Sequence, residues 1–299
     1  MKEMQLERIQ KFIAPYRVTR GQDFRLRDFH PEDTATFKSE DKREARKMLA
    51  HSVKWLSEQQ EMLYAQDQWA VLLVFQAMDA AGKDSTIKHV ASGINPQGCR
   101  VTSFKQPSSE ELDHDYLWRC SRHLPGRGQI GIFNRSYYEE VLVVKVHREL
   151  LEKQKLHPSL LTDDIWTQRY EDIGHYEHYL HRNGVLPLKF FLHVSREEQK
   201  RRFIRRLNKP QKHWKFSASD VAERQHWDEY QEAYEAAIRN TASEHAPWYV
   251  VPADNKWFAR LLVAAAVVDA IAGLNLQYPV VPDDKLEGLA RARRQLETE

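Results

Sequence analysis

The chain has 299 residues, 41% of them hydrophobic and 29% charged, enough to bury the core of one large α/β domain. Its net charge of +2 excludes a polyanion reader built on bulk charge, so any anion site must come from local clustering. Cys99 and Cys120 make no metal-spaced pair and read as ordinary half-buried thiols. The opening "MKEMQLERIQ" has no apolar signal core. The longest apolar stretch, Leu261–Ala272, is shorter than the ~20 residues of a membrane span and carries Asp269. Together these features predict a cytoplasmic protein with no membrane partner.

In chain order, the first forty residues are charged and aperiodic, with "HPEDT" as turn chemistry, and read as an arm that wraps the domain. Residues 42–65 place Met48, Leu49, Val53, Leu56, Leu63 and Tyr64 between charges, the spacing of an amphipathic helix. Val71–Phe75 is a continuous apolar run, hence a buried strand. Further strands are predicted at Arg100–Phe104, Gln129–Phe133, Leu188–Val194 and Trp248–Val251, with helical patterns in the gaps between strands, the longest of these through Ile165–Leu180, and a buried C-terminal helix at Leu261–Ala272. Strands alternating with helices imply a parallel, doubly wound sheet with helices on both faces. Ligands bind such sheets at the carboxyl ends of the strands. The chain reads as a single domain over residues 1–299, with residues 1–65 as an N-terminal arm and helix.

The first strand runs into "AMDAAGKDS" and then a helix. This departs at two positions from the phosphate-loop pattern G-x-x-x-x-G-K-[ST], with Ala77 for the first Gly and Asp84 for the Ser or Thr. The physics survives the changes. A strand–turn–helix aims backbone N–H groups and the positive helix end at one point. Ala80, Ala81 and Gly82 let phosphate oxygens approach, and Lys83 sets an ammonium on them. Asp79 beside phosphates calls for a divalent cation between them, so it is assigned to metal binding or to orienting an attacking phosphate. Asp84 serves the helix start or metal-bound water, and Ser85 is a spare hydroxyl.

The strand "QIGIF" ends in Asn134 and Arg135. A Walker-B strand ends in Asp; Asn134 can orient a metal-bound water but brings no charge. Arg135 is placed to stabilise charge in phosphoryl transfer. Farther on, "KRRFIRRLNKPQKHWK" carries eight Lys or Arg and no acid. Ser195-Arg196-Glu197-Glu198 before it is a capping-box signature, so a helix begins there. Arg201 and Arg205 share one helix face, and Arg202 and Arg206 another; Lys200 precedes them, and Lys209, Lys212 and Lys215 follow in a Pro-broken segment. Such a run is either a solvated basic helix or a lid over a strongly anionic substrate, with residues 196–240 as the lid region. A single nucleotide does not need eight cations, whereas a long polyanion does. Nucleic acid is one candidate, although aromatic residues such as Trp214 and Phe216 are too few here to argue base stacking, and inorganic polyphosphate is the other.

At these residues the chain resembles the polyphosphate kinase 2 family. "AMDAAGKDSTIKHV", "NPQGCRVTSFKQPS", "DHDYLWR", "IFNRSYYEEVLV", "KFFLHVSREEQKRR", "KHWKFS" and "YEAAIRNTASEHAPWYVVPADNKWFAR" are similar to it in order, over roughly residues 22–280. The resemblance implies a thymidylate-kinase-like P-loop kinase core, polyphosphate as phosphate donor or acceptor, and Mg²⁺ as cofactor, with Mn²⁺ as the alternate ion. It brings the two loop substitutions inside the family's own pattern. It is nearest to the class acting on nucleoside mono- and diphosphates, which carries Asn where other classes carry Asp at the position of Asn134, and this moves the metal burden to Asp79.

The reaction expected is phosphoryl transfer between polyphosphate and AMP or ADP, with guanine as an alternative base and no covalent intermediate. Lys83 and the loop hold the polyphosphate end, Arg135 meets the nucleotide, and Arg201, Arg202, Arg205 and Arg206 offset charge or guide the chain. Arg119, Arg122, Glu139 and Arg169 are candidates for the nucleotide side, each equally readable as a surface ion pair. Trp118 and Trp166 are assigned to the core, and a homo-oligomer is expected. Two rivals share parts of the pattern. An ATP-dependent nucleotide kinase would not need the Lys200–Lys215 run, and a non-catalytic polyphosphate-binding module would not need Asp79 beside Lys83.

Overall fold

The computed structural model describes residues 3–216 and 218–299. Six strands, β1 (Arg17–Val18), β2 (Ala70–Gln76), β3 (Cys99–Ser103), β4 (Ile130–Asn134), β5 (Val185–His193) and β6 (Trp248–Pro252), form a sheet in the order β1-β6-β5-β2-β4-β3. All neighbours are parallel except β1 and β6. All seven residues of β2, "AVLLVFQ", are buried, because helices cover both faces and no polar alternation is required. β2 lies between β4 and β5, so the chain leaves it where the strand order reverses, the place at which an open α/β sheet forms a crevice.

The helices are α1 (Glu3–Ile13), α2 (Lys42–Gln66), α3 (Lys83–Val90), α4 (Ile165–Arg182), α5 (Arg196–Leu207), α6 (Trp227–Thr241), α7 (Lys256–Ala272) and α8 (Asp283–Glu297), with shorter turns between them. α7 is apolar nearly all round and packs against α1, α2 and α3. One main buried cluster reaches from Ile13 to Leu276 across the sheet.

The five expected strands all form, displaced by up to three residues. β5 starts at Val185, ahead of a proline that reads as a strand breaker. The structure explains the tolerance. Lys189 N–H donates to Pro247 O of the segment entering β6, and Pro187 has the same parity. β6 pairs only from Lys189 onward, so the missing N–H of Pro187 faces no partner strand. The first forty residues are more ordered than their aperiodic charge predicts. α1 lies against α7, and β1 adds an antiparallel edge to β6. The "HPEDT" turn is present, with Asp33 N–H on His30 O, and Pro31 O accepts from Asp254 N–H just beyond β6. Trp118 and Trp166, assigned to the core, are only half-buried; Trp118 stacks on His114 with ring centroids 3.8 Å apart.

Candidate phosphate-transfer site

The turn after β2 is fixed by backbone, as a phosphate cradle must be. Gly82 caps α3 with φ +109°, a conformation that glycine adopts without strain. A Cβ there would clash with nothing, its nearest neighbours being Arg202 Nη1 at 3.7 Å and Lys256 Cε at 3.9 Å, so the glycine serves backbone shape. Ala80 also has a positive φ, +59°. Lys83 opens α3 and donates from Nζ to Ala77 O at 3.0 Å, which folds its side chain back along the loop. Burial pushes the Lys83 ammonium below its ordinary range and Arg135 adds to this, while Asp79, Glu139 and Asp84 oppose it.

Asp79, Arg135 and Glu139 form one charge-alternating group. Arg135 Nη2 lies 3.5 Å from Asp79 Oδ1 and its Nη1 3.4 Å from Glu139 Oε2. Gln76, the last residue of β2, donates to Glu139 Oε1 at 3.0 Å. Arg135 holds φ +66°, which a residue with a Cβ adopts at a cost of about 1–2 kcal/mol. That turn, tied by Arg135 N–H to Phe75 O, brings the side chain back toward the loop. Glu139 first, then Asp79, favour the charged guanidinium. Beneath this segment lies a buried network. Lys189 pairs with Glu177 and donates to Thr241 O at 2.8 Å and to Tyr138 Oη at 3.1 Å. Tyr137 and Tyr138 both donate to Glu177 Oε1, at 2.9 and 2.8 Å. These tyrosines lie two and three residues beyond Arg135, so the network holds the stretch that presents Arg135 and Glu139.

Asn134 donates from Nδ2 to Asp84 Oδ1 at 3.0 Å, linking the end of β4 to the first turn of α3. Ser85 Oγ accepts from Arg260 Nη2 of α7 at 2.7 Å.

The basic helix divides by face. Arg202 is buried and its donors are spent: Nη1 on Ala80 O and Ala81 O at 3.1 and 2.6 Å, Nη2 on Ala253 O and Asp254 O, and Nε on Glu198. It is a strut beneath the loop, and this corrects its reading as a guide for the substrate chain. Arg206 packs over Phe203 and pairs with Asp220 at 3.4 Å. Lys200, Arg201 and Arg205 are exposed, Arg201 pairing with Glu198 at 2.9 Å. The side chains of Lys212 and Lys215 lie outside the described residues.

The nucleotide-side candidates split similarly. Arg169 is buried, with Glu140 Oε2 at 2.8 Å and Gln154 Oε1 at 2.6 Å, against the rings of Tyr116 and Trp166. Arg119 donates to Lys105 O at 2.7 Å and sits over Phe104. Both line a cleft of about 270 Å³ with Tyr116, Leu156, Ile165 and Glu140. Arg122 sits outside this lining, over Trp118 and 3.5 Å from Glu110. Glu139 and Glu140 are adjacent in sequence, so one short turn joins the Arg135 group to the cleft.

Sequence reasoning missed Lys256 and Arg260. Both follow β6, at the strand end where ligands bind, and "PADNKWFAR" carried that signal. Burial first, and then Arg202, Arg205 and Arg260, push the Lys256 ammonium down to about 8.

The family described as "Polyphosphate kinase 2 (PPK2)" matches residues 38–279. The chain belongs to the polyphosphate kinase 2 family. It is 50% identical over 258 residues to the ADP-polyphosphate phosphotransferase of Rhodopseudomonas palustris, covering 86% of this chain and 89% of that one. It is 46% identical over 267 residues to the AMP/ADP-polyphosphate phosphotransferase of Meiothermus ruber, covering 89% and 96%. The structure of polyphosphate kinase 2 from Arthrobacter aurescens TC1 superposes with a TM-score of 0.84 at 37% identity, over 94% of this chain and 95% of that one. The kinase-type α/β fold expected from the sequence is therefore established. Among the described residues, no helix of this polyphosphate kinase 2 member is long and apolar enough to cross a membrane.

Proposed function

We propose that this protein transfers a phosphoryl group between inorganic polyphosphate and AMP or ADP. The observation that carries the reading is the two-sided setting of the loop. On one side Asp79 pairs with Arg135, which also pairs with Glu139, whose neighbour Glu140 leads to the mostly apolar cleft of Arg119 and Arg169. On the other side lie Lys256 and Arg260, with the exposed Arg205 of α5 near enough to Lys256 to act on its charge. A nucleotide suits the first side, with its base in the cleft and its terminal phosphate at Arg135. A polyphosphate chain suits the second. We read residues 196–240 as the lid over it, within one domain preceded by the arm and helix of residues 1–65. A cytoplasmic location and a homo-oligomer complete the reading, and guanine nucleotides are secondary acceptors.

The residues present fit Mg²⁺. Among the described residues no three or more His, Cys, Asp or Glu are grouped to hold a metal. Mg²⁺ needs no such cage, since it takes one or two carboxylates, several waters and substrate phosphates. Asp79, part-exposed beside Arg135, is the carboxylate that would hold it. When bound, Mg²⁺, or Mn²⁺ in its place, neutralises charge on the reacting phosphates. The chain's own part is positioning and electrostatics, which dominate phosphoryl transfer. Lys83 and the loop amides fix the polyphosphate end, Arg135 draws the acceptor phosphate into line, and Asp84, held by Asn134, keeps the helix start in place.

The test is polyphosphate-dependent conversion of ADP to ATP, read by luminescence. ATP formed only when polyphosphate and Mg²⁺ are both present supports the reading. Tight polyphosphate binding without ATP would favour a storage module. ATP-dependent phosphorylation of AMP with no use of polyphosphate would favour an ordinary nucleotide kinase.

A further inference from the structure

The turn Glu223–His226, which leads into α6, is tied to two other parts of the molecule by separate side-chain bonds. One set holds the turn. Glu223 Oε2 is 2.9 Å from His147 Nε2 and accepts from Tyr230 Oη at 2.8 Å. His147 follows β4 by a short helical stretch, so this set roots the turn in the segment beyond Arg135 and Glu139. The other set reaches the loop. Arg224 Nη1 donates to Gln199 Oε1 at 2.5 Å and to Arg196 O at 3.1 Å. Gln199, buried on α5, donates in turn from Nε2 to Asp79 O at 2.9 Å. An amide has one acceptor end and one donor end. With Arg224 on its oxygen, the nitrogen of Gln199 must face the Asp79 carbonyl.

We propose that Arg224 is a positioning residue for phosphoryl transfer, acting through Gln199 on the Asp79 peptide while Glu223, His147 and Tyr230 hold the turn in place. The inference rests on the assignment of Asp79 to the reaction. The Asp79 peptide sits between the left-handed Ala80 and the end of β2, where no regular ladder fixes it. A carbonyl pinned from α5 sets the direction of the Asp79 carboxylate toward Arg135. Because Arg224 belongs to the turn and Gln199 to α5, the carboxylate is aimed only when those two elements meet.

Arg224→Ala and Gln199→Glu separate the links of this relay. Gln199→Glu still accepts from Arg224 but cannot donate to Asp79 O. Each single variant is expected to lower kcat about tenfold, with KM for ADP unchanged and the melting temperature within a few degrees of the parent. The double variant is expected to lose about tenfold as well, where independent sites would lose about a hundredfold. Arg224→Lys, which keeps one donor, is expected to recover part of kcat. Asp79→Asn is measured alongside. Parent-like kcat in Arg224→Ala, or multiplicative losses in the double variant, with Asp79→Asn inactive, would overturn the relay and leave the role of Asp79 standing. Parent-like activity in Asp79→Asn would overturn both.

Discussion

The side-chain amide of Asn134 donates to Asp84 at 3.0 Å, so the last residue of β4 holds the first turn of α3 through a neutral group. A carboxylate at position 134 would stand within hydrogen-bond distance of another. Two like charges so close raise the pKa of one and repel incoming phosphate. Asn134→Asp is expected to cut turnover about tenfold with ADP and more with AMP, whose single phosphate must sit deeper. Product analysis with each nucleotide alone, in excess polyphosphate, checks this, and with AMP alone the parent protein is expected to yield ADP and then ATP. Equal turnover of both nucleotides by Asn134→Asp would contradict it.

Asp79→Asn and Lys83→Ala are each expected to lower kcat by ~10²–10³, the usual result of removing one preorganised charge from a transition state. The left-handed Ala80 and Gly82 and the bonds from Arg202 remain in both variants, so circular dichroism is expected to stay unchanged. Near-parent turnover with an unchanged spectrum would remove either residue from the mechanism.

Arg202 and Arg205 are three residues apart on α5 and are expected to fail in different ways. Arg202→Ala strands the carbonyls of Ala80, Ala81, Ala253 and Asp254 and the carboxylate of Glu198, at a cost of at least ~3 kcal/mol. Thermal or urea unfolding reads that loss directly. Arg205→Glu is expected to leave stability unchanged and to raise KM for polyphosphate far more than KM for ADP, increasingly at low salt. Equal effects on both substrates would sink the idea of a polyphosphate track on this face.

Four strands, β2, β4, β5 and β6, were legible as apolar runs bounded by turns, and the loop because Gly-Lys follows such a run into a helix; the two-residue β1 carried no such signal. Arg202 was not legible either, since nothing in "KRRFIRR" tells a strut from a solvated cation: direction on a helix depends on what lies opposite. Lys256 and Arg260 stand just after β6 in the first turns of α7, and only the fold carries them beside Gly82 and Ser85. Lys189 and Glu177 drew no notice in the sequence, because burial of an ion pair is a tertiary fact. α1 was missed although Leu6, Ile9, Phe12 and Ile13 recur at helical spacing, because the charges between them make the segment read as aperiodic.

Polyphosphate use is expected to depend on pH through Lys256. With its ammonium near 8, it is largely charged at pH 7 and loses charge above 8. Polyphosphate binding needs the charged form, so KM for polyphosphate is expected to rise between pH 7.5 and 9 while KM for ADP changes less. Lys256→Arg keeps its charge throughout this range and is expected to flatten the rise. A parent-like slope in Lys256→Arg would show that another group is responsible.

The central claim is direct transfer from polyphosphate to a nucleotide bound at Arg135. Single turnover with ADP, Mg²⁺ and polyphosphate labelled with radioactive phosphate tests it most directly. The account predicts label in the terminal phosphate of ATP, appearing in one step with none on the protein. Label trapped on the protein before ATP forms, or ATP left unlabelled, would contradict it.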